Sequence, residues 1–191
     1  MTVGTTKAIV IGASAGAVEA LLTILPKFPK DYPIPVFVVV HVPPDRSNIL
    51  VPLFEARCKI AVKEAEDKEP VVGGVVYFAP SDYHMLVEED FTISLSSDEP
   101  VNHSRPAIDV LFESAADAYG AGLVGVVLTG ANQDGAAGLA TIAEAGGTAI
   151  VEDPTGAYSA QMPTFALAAC PAAMTMPIEQ IASDLSVRGN A

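Results

Sequence analysis

Positively charged residues are scarce in this chain, and so are cysteine and tryptophan. Its 191 residues include 10 Lys and Arg against 23 Asp and Glu, for a formal net charge of −13, with 2 Cys and no Trp. Binding to phosphates or anionic lipids needs clustered cations, so this balance argues against nucleic acid and membrane surfaces as partners. Cys58 and Cys170 lack CxxC spacing, which predicts reduced, buried or partly buried thiols in a cytoplasmic protein and no metal site.

Long hydrophobic runs are also missing. The N-terminal apolar run, residues 8–11, is too short for a signal peptide, and the longest charge-free stretch, 154–178, is interrupted by prolines. We therefore expect no membrane insertion. The chain is nevertheless 50% hydrophobic, with a mean hydropathy of +0.39, which is enough apolar material for a sizeable core. We expect one domain over residues 1–191, with a disordered tail at 186–191.

Short β-branched runs alternate with helix-like segments along most of the chain. The runs lie at 8–11, 35–40, 75–78, 124–128 and 148–151, and the helical segments at 18–25, 48–57, 108–119 and 136–145. This alternation predicts an α/β fold with a doubly wound, mostly parallel sheet flanked by helices. Residues 85–87 and 91–95 flank three acidic residues and predict an inserted antiparallel hairpin, which would make the sheet mixed. The proline-containing stretch 154–177 is expected to pack over the sheet.

Gly12-Ala13-Ser14-Ala15-Gly16 directly follows the first predicted strand. A GxSxG turn between strand and helix lifts the serine hydroxyl above the sheet edge and points the following N–H groups at a developing oxyanion. The same residues fit a nucleotide-binding loop or a turn that is small only for packing. A dehydrogenase-type loop would need an acidic residue after the second strand and commonly a Tyr-x-x-x-Lys, and the sequence has neither.

Two further side chains follow predicted strands. His41 comes directly after the second run, and Asp134 follows the run ending at 128 and precedes a helix. In open α/β sheets ligands bind at the carboxyl ends of strands, so Ser14 should lie near both. We predict a Ser14–His41–Asp134 triad with Ser14 Oγ about 2.6–3.2 Å from a ring nitrogen, or somewhat farther without substrate. Asp134 also fits a helix N-cap, a reading compatible with the triad.

The remaining histidines and one arginine have weaker cases. His84 is expected to be a hydrogen-bonded loop residue, and His103, which lies in a polar loop, is a candidate for substrate contact. Residues 69–191 contain 2 cations, Arg105 and Arg188, against 16 acidic residues. Arg105 is mid-chain, so we predict that it recognises an acidic partner or a substrate carboxylate, with a structural salt bridge as the alternative.

Together these residues resemble the catalytic domain of CheB-type chemotaxis protein-glutamate methylesterases. The resemblance extends over residues 7–185 and rests on six blocks in family order: Gly12-Ala-Ser-Ala-Gly16, His41-Val-Pro-Pro44, Val62-Lys-Glu-Ala-Glu-Asp67, Ala79-Pro-Ser-Asp-Tyr-His84, Pro100-Val-Asn102 with Arg105-Pro-Ala-Ile-Asp-Val-Leu-Phe112, and Leu128-Thr-Gly130 with Asp134-Gly-Ala-Ala-Gly138. The sequence departs from the family pattern where Ala17 replaces a frequent Gly, Ala131 a frequent Met and Ser104 a frequent His.

The resemblance implies a serine hydrolase that needs no cofactor and uses Ser14, His41 and Asp134. It implies demethylation of glutamate methyl esters, and possible deamidation of glutamines, on the cytoplasmic domain of methyl-accepting chemoreceptors. We expect Ala15, Gly16, Ala131 and Arg105 to form the oxyanion and substrate-binding groups. The usual receiver domain is missing from these 191 residues, so the expectation is a regulator acting in trans, constitutive activity or a fragment. The alternatives are a non-catalytic adaptor or nucleotide-binding module on the same fold, and an esterase for small molecules.

Overall fold

The computed structural model describes residues 5–41 and 49–190. The strands of this part of the chain are β1 (Ala8–Ala13), β2 (Val36–Val40), β3 (Ala61–Glu64), β4 (Val75–Phe78), β5 (His84–Val87), β6 (Ile93–Ser96), β7 (Leu123–Val127), β8 (Thr148–Glu152) and β9 (Met174–Met176). The helices are α1 (Ala17–Ile24), α2 (Leu50–Glu55), α3 (Ile108–Tyr119), α4 (Ala136–Glu144), α5 (Gln161–Ala169) and α6 (Ile178–Val187).

Seven of the strands form one parallel sheet in the order β3-β4-β2-β1-β7-β8-β9. The strand order reverses between the neighbours β1 and β7, and this is where doubly wound sheets open a crevice at their carboxyl edge. The predicted α/β, doubly wound architecture is confirmed. The predicted mixed sheet is wrong, because β5 and β6 pair only with each other as an antiparallel hairpin and pack against α3 instead of joining the main sheet.

The central strand β1 is buried on both faces, which explains its uninterrupted apolar sequence. Ile9 and Ile11 point into the core beneath α1 and α6, whereas Ala8 and Val10 point into the core that contains α3 and α4. Successive side chains of a strand alternate between its faces, so one short run contributes to both cores. Gly12 continues the second set, and a Cβ there would lie 2.4 Å from the side chain of Ile108 at the start of α3.

The last third of the chain differs most from expectation. The stretch 154–177 does pack against the sheet and α4, but it contains α5 and the edge strand β9, which the prolines conceal in the sequence. Pro163 is the third residue of α5, where no intrahelical N–H donor is required. In the tail expected to be disordered at 186–191, residues 186–190 end α6 and continue as a 3₁₀ turn, Arg188–Asn190, and residue 191 lies outside the described residues. The buried face of α6, which includes Ile181 and Leu185, holds this segment on the core.

Cys170 is buried and Cys58 is partly buried, and neither forms a disulfide. The predicted helix at 48–57 corresponds to α2, with residue 48 outside the described residues. Among the helices of the described chain, none combines the length and apolar character needed to cross a bilayer.

Candidate active site

Strand register places Ser14 beside His41. The parallel pairing of β1 with β2 ends with Ala13 opposite Val40, so the next residues of the two strands, Ser14 and His41, lie at adjacent positions on the carboxyl edge. The backbone supports this placement, since the His41 N–H donates to Ala13 O at 3.3 Å. On the other side, the Ser14 N–H donates to Thr129 O at 2.9 Å. Ser14 therefore lies between the ends of β2 and β7.

The turn after Ser14 requires glycine at position 16. Gly16 has φ 83°, a left-handed backbone conformation that residues other than glycine adopt only with strain. It also lies under Tyr158, whose Cβ would be 2.6 Å from a Cβ added at this position. Within the described part of the chain, the N–H groups of Ala15 and Ala131 donate to no acceptor. Both remain available to a ligand, as an oxyanion site requires.

His41 is bonded to the carboxylate of Asp134. The distance between His41 Nε2 and Asp134 Oδ2 is 2.8 Å, and the side chains are 13% and 0% exposed. The two residues are 93 positions apart in the sequence. They meet because β2 ends, and the loop after β7 begins, at the same edge of the sheet. The predicted contact between His41 and Asp134 is thus present.

Asp134 remains ionised inside the protein because it is surrounded by donors. Its carboxylate accepts hydrogen bonds from His41 Nε2, Ile108 N, Asp109 N, Asn102 Nδ2 and Gly135 N. Burial raises the pKa of Asp134, but the hydrogen bonds from His41, the Ile108 N–H and Asn102 outweigh burial and hold this pKa below its ordinary value. Since two donors belong to the first turn of α3, Asp134 also caps that helix from outside. It does not cap α4, whose N-cap residue is Gly135.

A second buried carboxylate, which the sequence reasoning missed, supports the first. Asn102 Nδ2 lies 2.8 Å from Asp109 Oδ2 and 3.0 Å from Asp134 Oδ1, so one amide group bridges both acids. Burial raises the pKa of Asp109, and the negative charge of Asp134 raises it further. An acidic residue in the first turn of α3 was visible in the sequence, but that position by itself indicates only a favourable helix dipole interaction.

The predicted hydrogen bond between Ser14 and His41 is not formed. Neither nitrogen of the His41 ring is bonded to Ser14 Oγ, since Nε2 contacts Asp134 and Nδ1 lies 3.3 Å from Asn132 Nδ2. Asn132 was not among the predicted site residues. Its position two residues before Asp134 was the available signal, because an Asn side chain often bonds the backbone N–H two residues on, and here Asn132 Oδ1 accepts the Asp134 N–H at 3.0 Å.

Glu152, the last residue of β8, is another strand-end side chain that the sequence reasoning missed. It is 4% exposed, and its Oε2 accepts the Thr129 N–H at 2.8 Å. Burial raises the pKa of Glu152, and the hydrogen bond from Thr129 offsets part of this effect. Thr129 Oγ1 donates in turn to Ala15 O at 2.7 Å, so Glu152 helps to fix the turn that carries Ser14.

The guanidinium of Arg105 is hydrogen-bonded to other groups of this chain. Its Nε and one terminal nitrogen donate to Asp82 Oδ1 at 3.0 and 2.6 Å, and the other terminal nitrogen donates to the carbonyls of Ser97 and Asp98. This arrangement corresponds to the structural salt bridge that was the alternative for Arg105. His84 is buried, with Nδ1 accepting the Ala107 N–H and Nε2 near Glu99 O, which agrees with a structural histidine.

Metal binding has no support in residues 5–41 and 49–190, where no three His, Cys, Asp or Glu side chains form a cluster that could hold an ion. The chemistry available at the edge of the sheet is that of a hydroxyl, an imidazole and a buried carboxylate. Groups of these three kinds also make up the catalytic sites of serine hydrolases, which occur on several folds.

Comparison with known proteins gives the family. The sequence matches the CheB methylesterase family over residues 9–185, and the chain belongs to that family. The crystal structure of the Thermotoga maritima CheB methylesterase catalytic domain superposes with a TM-score of 0.90 at 34% identity, covering 95% of this chain and 97% of that one.

Relatives known from sequence differ in length. A Leptospira interrogans protein, provisionally named protein-glutamate methylesterase/protein-glutamine glutaminase, is 48% identical over 92% of this chain and 91% of its own. A Clostridium acetobutylicum protein-glutamate methylesterase/protein-glutamine glutaminase is 38% identical over 94% of this chain and 52% of its own. This chain therefore spans nearly all of the first relative and about half of the second.

Proposed function

We propose that this protein hydrolyses glutamate methyl esters on the cytoplasmic domain of chemoreceptors, and that it also deamidates glutamines there. The observation that carries the proposal is the contact of His41 with the buried carboxylate of Asp134. His41 follows β2, which is the neighbour of the strand that Ser14 follows. The names of the relatives supply the substrate class, since the geometry alone is compatible with many esters. The proposed site of action is the cytoplasm, with a regulator acting in trans.

In the proposed mechanism, Ser14 Oγ attacks the ester carbonyl and its proton passes to His41. Asp134 keeps the ring oriented and stabilises the imidazolium. The N–H groups of Ala15 and Ala131 donate to the oxyanion. Collapse of the intermediate breaks the bond to the methoxy group, which leaves as methanol with the proton from His41. Water then attacks the acyl-enzyme by the same proton route, so that ester and water become carboxylate, proton and methanol.

The proposal has a direct test. Receptor membranes carrying labelled methyl groups are incubated with the protein, and released methanol is measured. Ser14→Ala should lower the rate on the order of 10³-fold or more, because removal of one triad member disables the unit. Ser183→Ala, on the exposed side of α6, is the matched control and should release methanol at the wild-type rate.

The outcomes separate the competing functions. Wild-type rates from Ser14→Ala would place the chemistry elsewhere. No hydrolysis of any ester by the folded protein would favour the adaptor or nucleotide-binding alternative, which the names of the relatives do not support. Turnover of soluble esters with none on receptors would indicate a small-molecule esterase. Ammonia release from receptor glutamines tests the deamidation reaction separately.

A further inference from the structure

Asn132 contacts both members of the His41–Asp134 pair. Its Oδ1 accepts the Asp134 N–H at 3.0 Å, and its Nδ2 lies 3.3 Å from His41 Nδ1. A backbone N–H can only donate, so the oxygen of the amide must face Asp134 and the NH₂ group must face His41. The orientation of the Asn132 amide is therefore determined by its partners.

This orientation determines the tautomer of His41. An NH₂ group donates, so Nδ1 must accept with its lone pair, and the ring proton is on Nε2, where it is donated to Asp134 Oδ2. In the chymotrypsin-type triad the carboxylate holds Nδ1 and the serine faces Nε2. Here the two nitrogens have exchanged partners, and Nδ1 is the nitrogen that can act as base.

The base nitrogen is occupied in this structure. A ring nitrogen has one lone pair, which Nδ1 shares with Asn132. Nε2 cannot serve as the base in place of Nδ1, because it is bonded to Asp134. The Asp134 carboxylate is 0% exposed and is held in place by α3 and Asn102. Ser14 Oγ has no hydrogen bond to either nitrogen, so Ser14 and Asn132 compete for the same site on His41.

We propose that Asn132 is a positioning residue that acts through His41: it keeps Nδ1 bonded in the resting enzyme and yields it to Ser14 when substrate enters. The inference rests on the proposed hydrolase chemistry of Ser14 and His41. Release requires rotation of one half-buried amide, whose NH₂ group can then bond to water. The 3.3 Å distance is also longer than the usual value of about 2.9–3.0 Å for N–H hydrogen bonds, so the contact is easily exchanged.

The cost of release sets the expected effect of removing Asn132. A neutral hydrogen bond of this kind contributes enough to change a rate by about two- to tenfold. Asn132→Ser removes the amide donor but keeps a short hydroxyl that can accept the Asp134 N–H. Gln133→Ser makes the same chemical change at the next, exposed position of the loop and serves as the matched control.

The proposal can be tested by two measurements that do not require a receptor. The first is the second-order rate at which a small fluorophosphonate labels Ser14, and the second is kcat/KM for p-nitrophenyl acetate. We expect both to rise about two- to tenfold in Asn132→Ser and to stay at the wild-type value in Gln133→Ser. A purely structural role for Asn132 would lower both rates, and a fall or no change in Asn132→Ser would overturn the proposal.

A spectroscopic readout separates the tautomer from the rate. With ¹⁵N-labelled histidine, the Nδ1 signal of His41 should be that of an unprotonated, hydrogen-bonded nitrogen in the wild type and should shift in Asn132→Ser. The opposite tautomer would overturn the proposal. If Asn132→Ser does not fold, Asn132→Ala is measured in its place. If Ser14 of the wild type does not react with the fluorophosphonate at all, the proposed function is contradicted instead. Ser14→Ala is the control that shows whether the label is attached to Ser14.

Discussion

The carboxylate of Asp134 accepts the backbone N–H of Ile108, the first residue of α3, at 2.6 Å. The residue that orients His41 is thus also the anion at the buried N-terminus of α3. Helix N-termini favour negative charge, so α3 stabilises the ionised carboxylate that the proposed mechanism needs. Stability and activity should therefore respond together when Asp134 changes.

Asp134→Asn should lower both quantities. The amide keeps the size of the carboxylate, but its NH₂ group becomes a donor that faces other donors in either orientation. At the Oδ2 position it faces both His41 and the Ile108 N–H, and at the Oδ1 position it faces the Asp109 and Gly135 N–H groups. We expect kcat for ester hydrolysis to fall on the order of 10³- to 10⁴-fold, as for loss of a triad carboxylate, together with a lower melting temperature. Asp117→Asn, at the exposed end of α3, is the control. Wild-type kinetics in Asp134→Asn would exclude its catalytic role.

Glu152 should make stability depend on pH in a defined direction. Burial raises its pKa in the folded protein, so the native state binds this proton more tightly than the unfolded chain does. The ionised carboxylate therefore costs stability, and the cost appears as pH rises through the unfolded pKa and is complete above the folded one. Glu152→Gln, whose amide oxygen can still accept the Thr129 N–H, should be more stable than the wild type at neutral pH.

The measurement is urea unfolding of Glu152→Gln and wild type between about pH 4 and pH 7, where Glu ionisation is sampled. The stability advantage of the variant should shrink toward the acidic end. Glu144→Gln, on the surface of α4, is the control and should track the wild type. An advantage that grows as pH falls would contradict the assignment.

Arg105→Ala tests whether this arginine serves recognition or structure. The guanidinium joins Asp82 to the carbonyls of Ser97 and Asp98, and the Arg105 side chain is 22% exposed. Because Asp82 is more than half exposed, we expect a stability loss on the order of 1 kcal/mol, with kcat/KM for a small ester unchanged. Unchanged thermal stability with a raised KM for receptor would instead support the predicted role in recognition.

Tyr158 is expected to contact the protein substrate. Its side chain lies against Gly16, two residues from Ser14, yet is 83% exposed. The next residue, Ser159, is fixed by hydrogen bonds to Thr129 and Gly130, so the ring is presented on a rigid segment. Exposed aromatic side chains on rigid backbone are common anchors in protein interfaces.

Tyr158→Ala should raise KM for receptor by about five- to tenfold, the loss expected of an interface anchor, without altering hydrolysis of a small ester. Tyr158→Phe should retain the wild-type KM. Phe91→Ala is the control, because Phe91 is similarly large and 45% exposed but packs on Tyr119 at the opposite end of α3 from Asp134. Equal KM values for all four proteins would exclude Tyr158 from docking.

Much of the fold followed from local pattern. Continuous β-branched runs predicted the strands β1, β2, β4, β7 and β8, and the helix at 108–119 has the predicted bounds. Short or polar strands were missed, as with β3, because a half-exposed edge strand has no continuous apolar run. Prolines concealed α5 and β9, and the hairpin gave no sign of whether it would pair with the main sheet or pack on a helix.

The amino-acid sequence determined which chemistry the edge of the sheet carries. Ser14, His41 and Asp134 each follow a buried strand, and parallel strands end at one edge, so local order was enough to bring them together. Tertiary structure alone decided how these groups are bonded. The donors around Asp134, the bridging Asn102 and the amide of Asn132 on His41 depend on the direction of hydrogen bonds between distant segments. The spacing of Asn132 and Asp134 indicates only the local bond between them, and the bonds to distant segments exist only once the chain has packed.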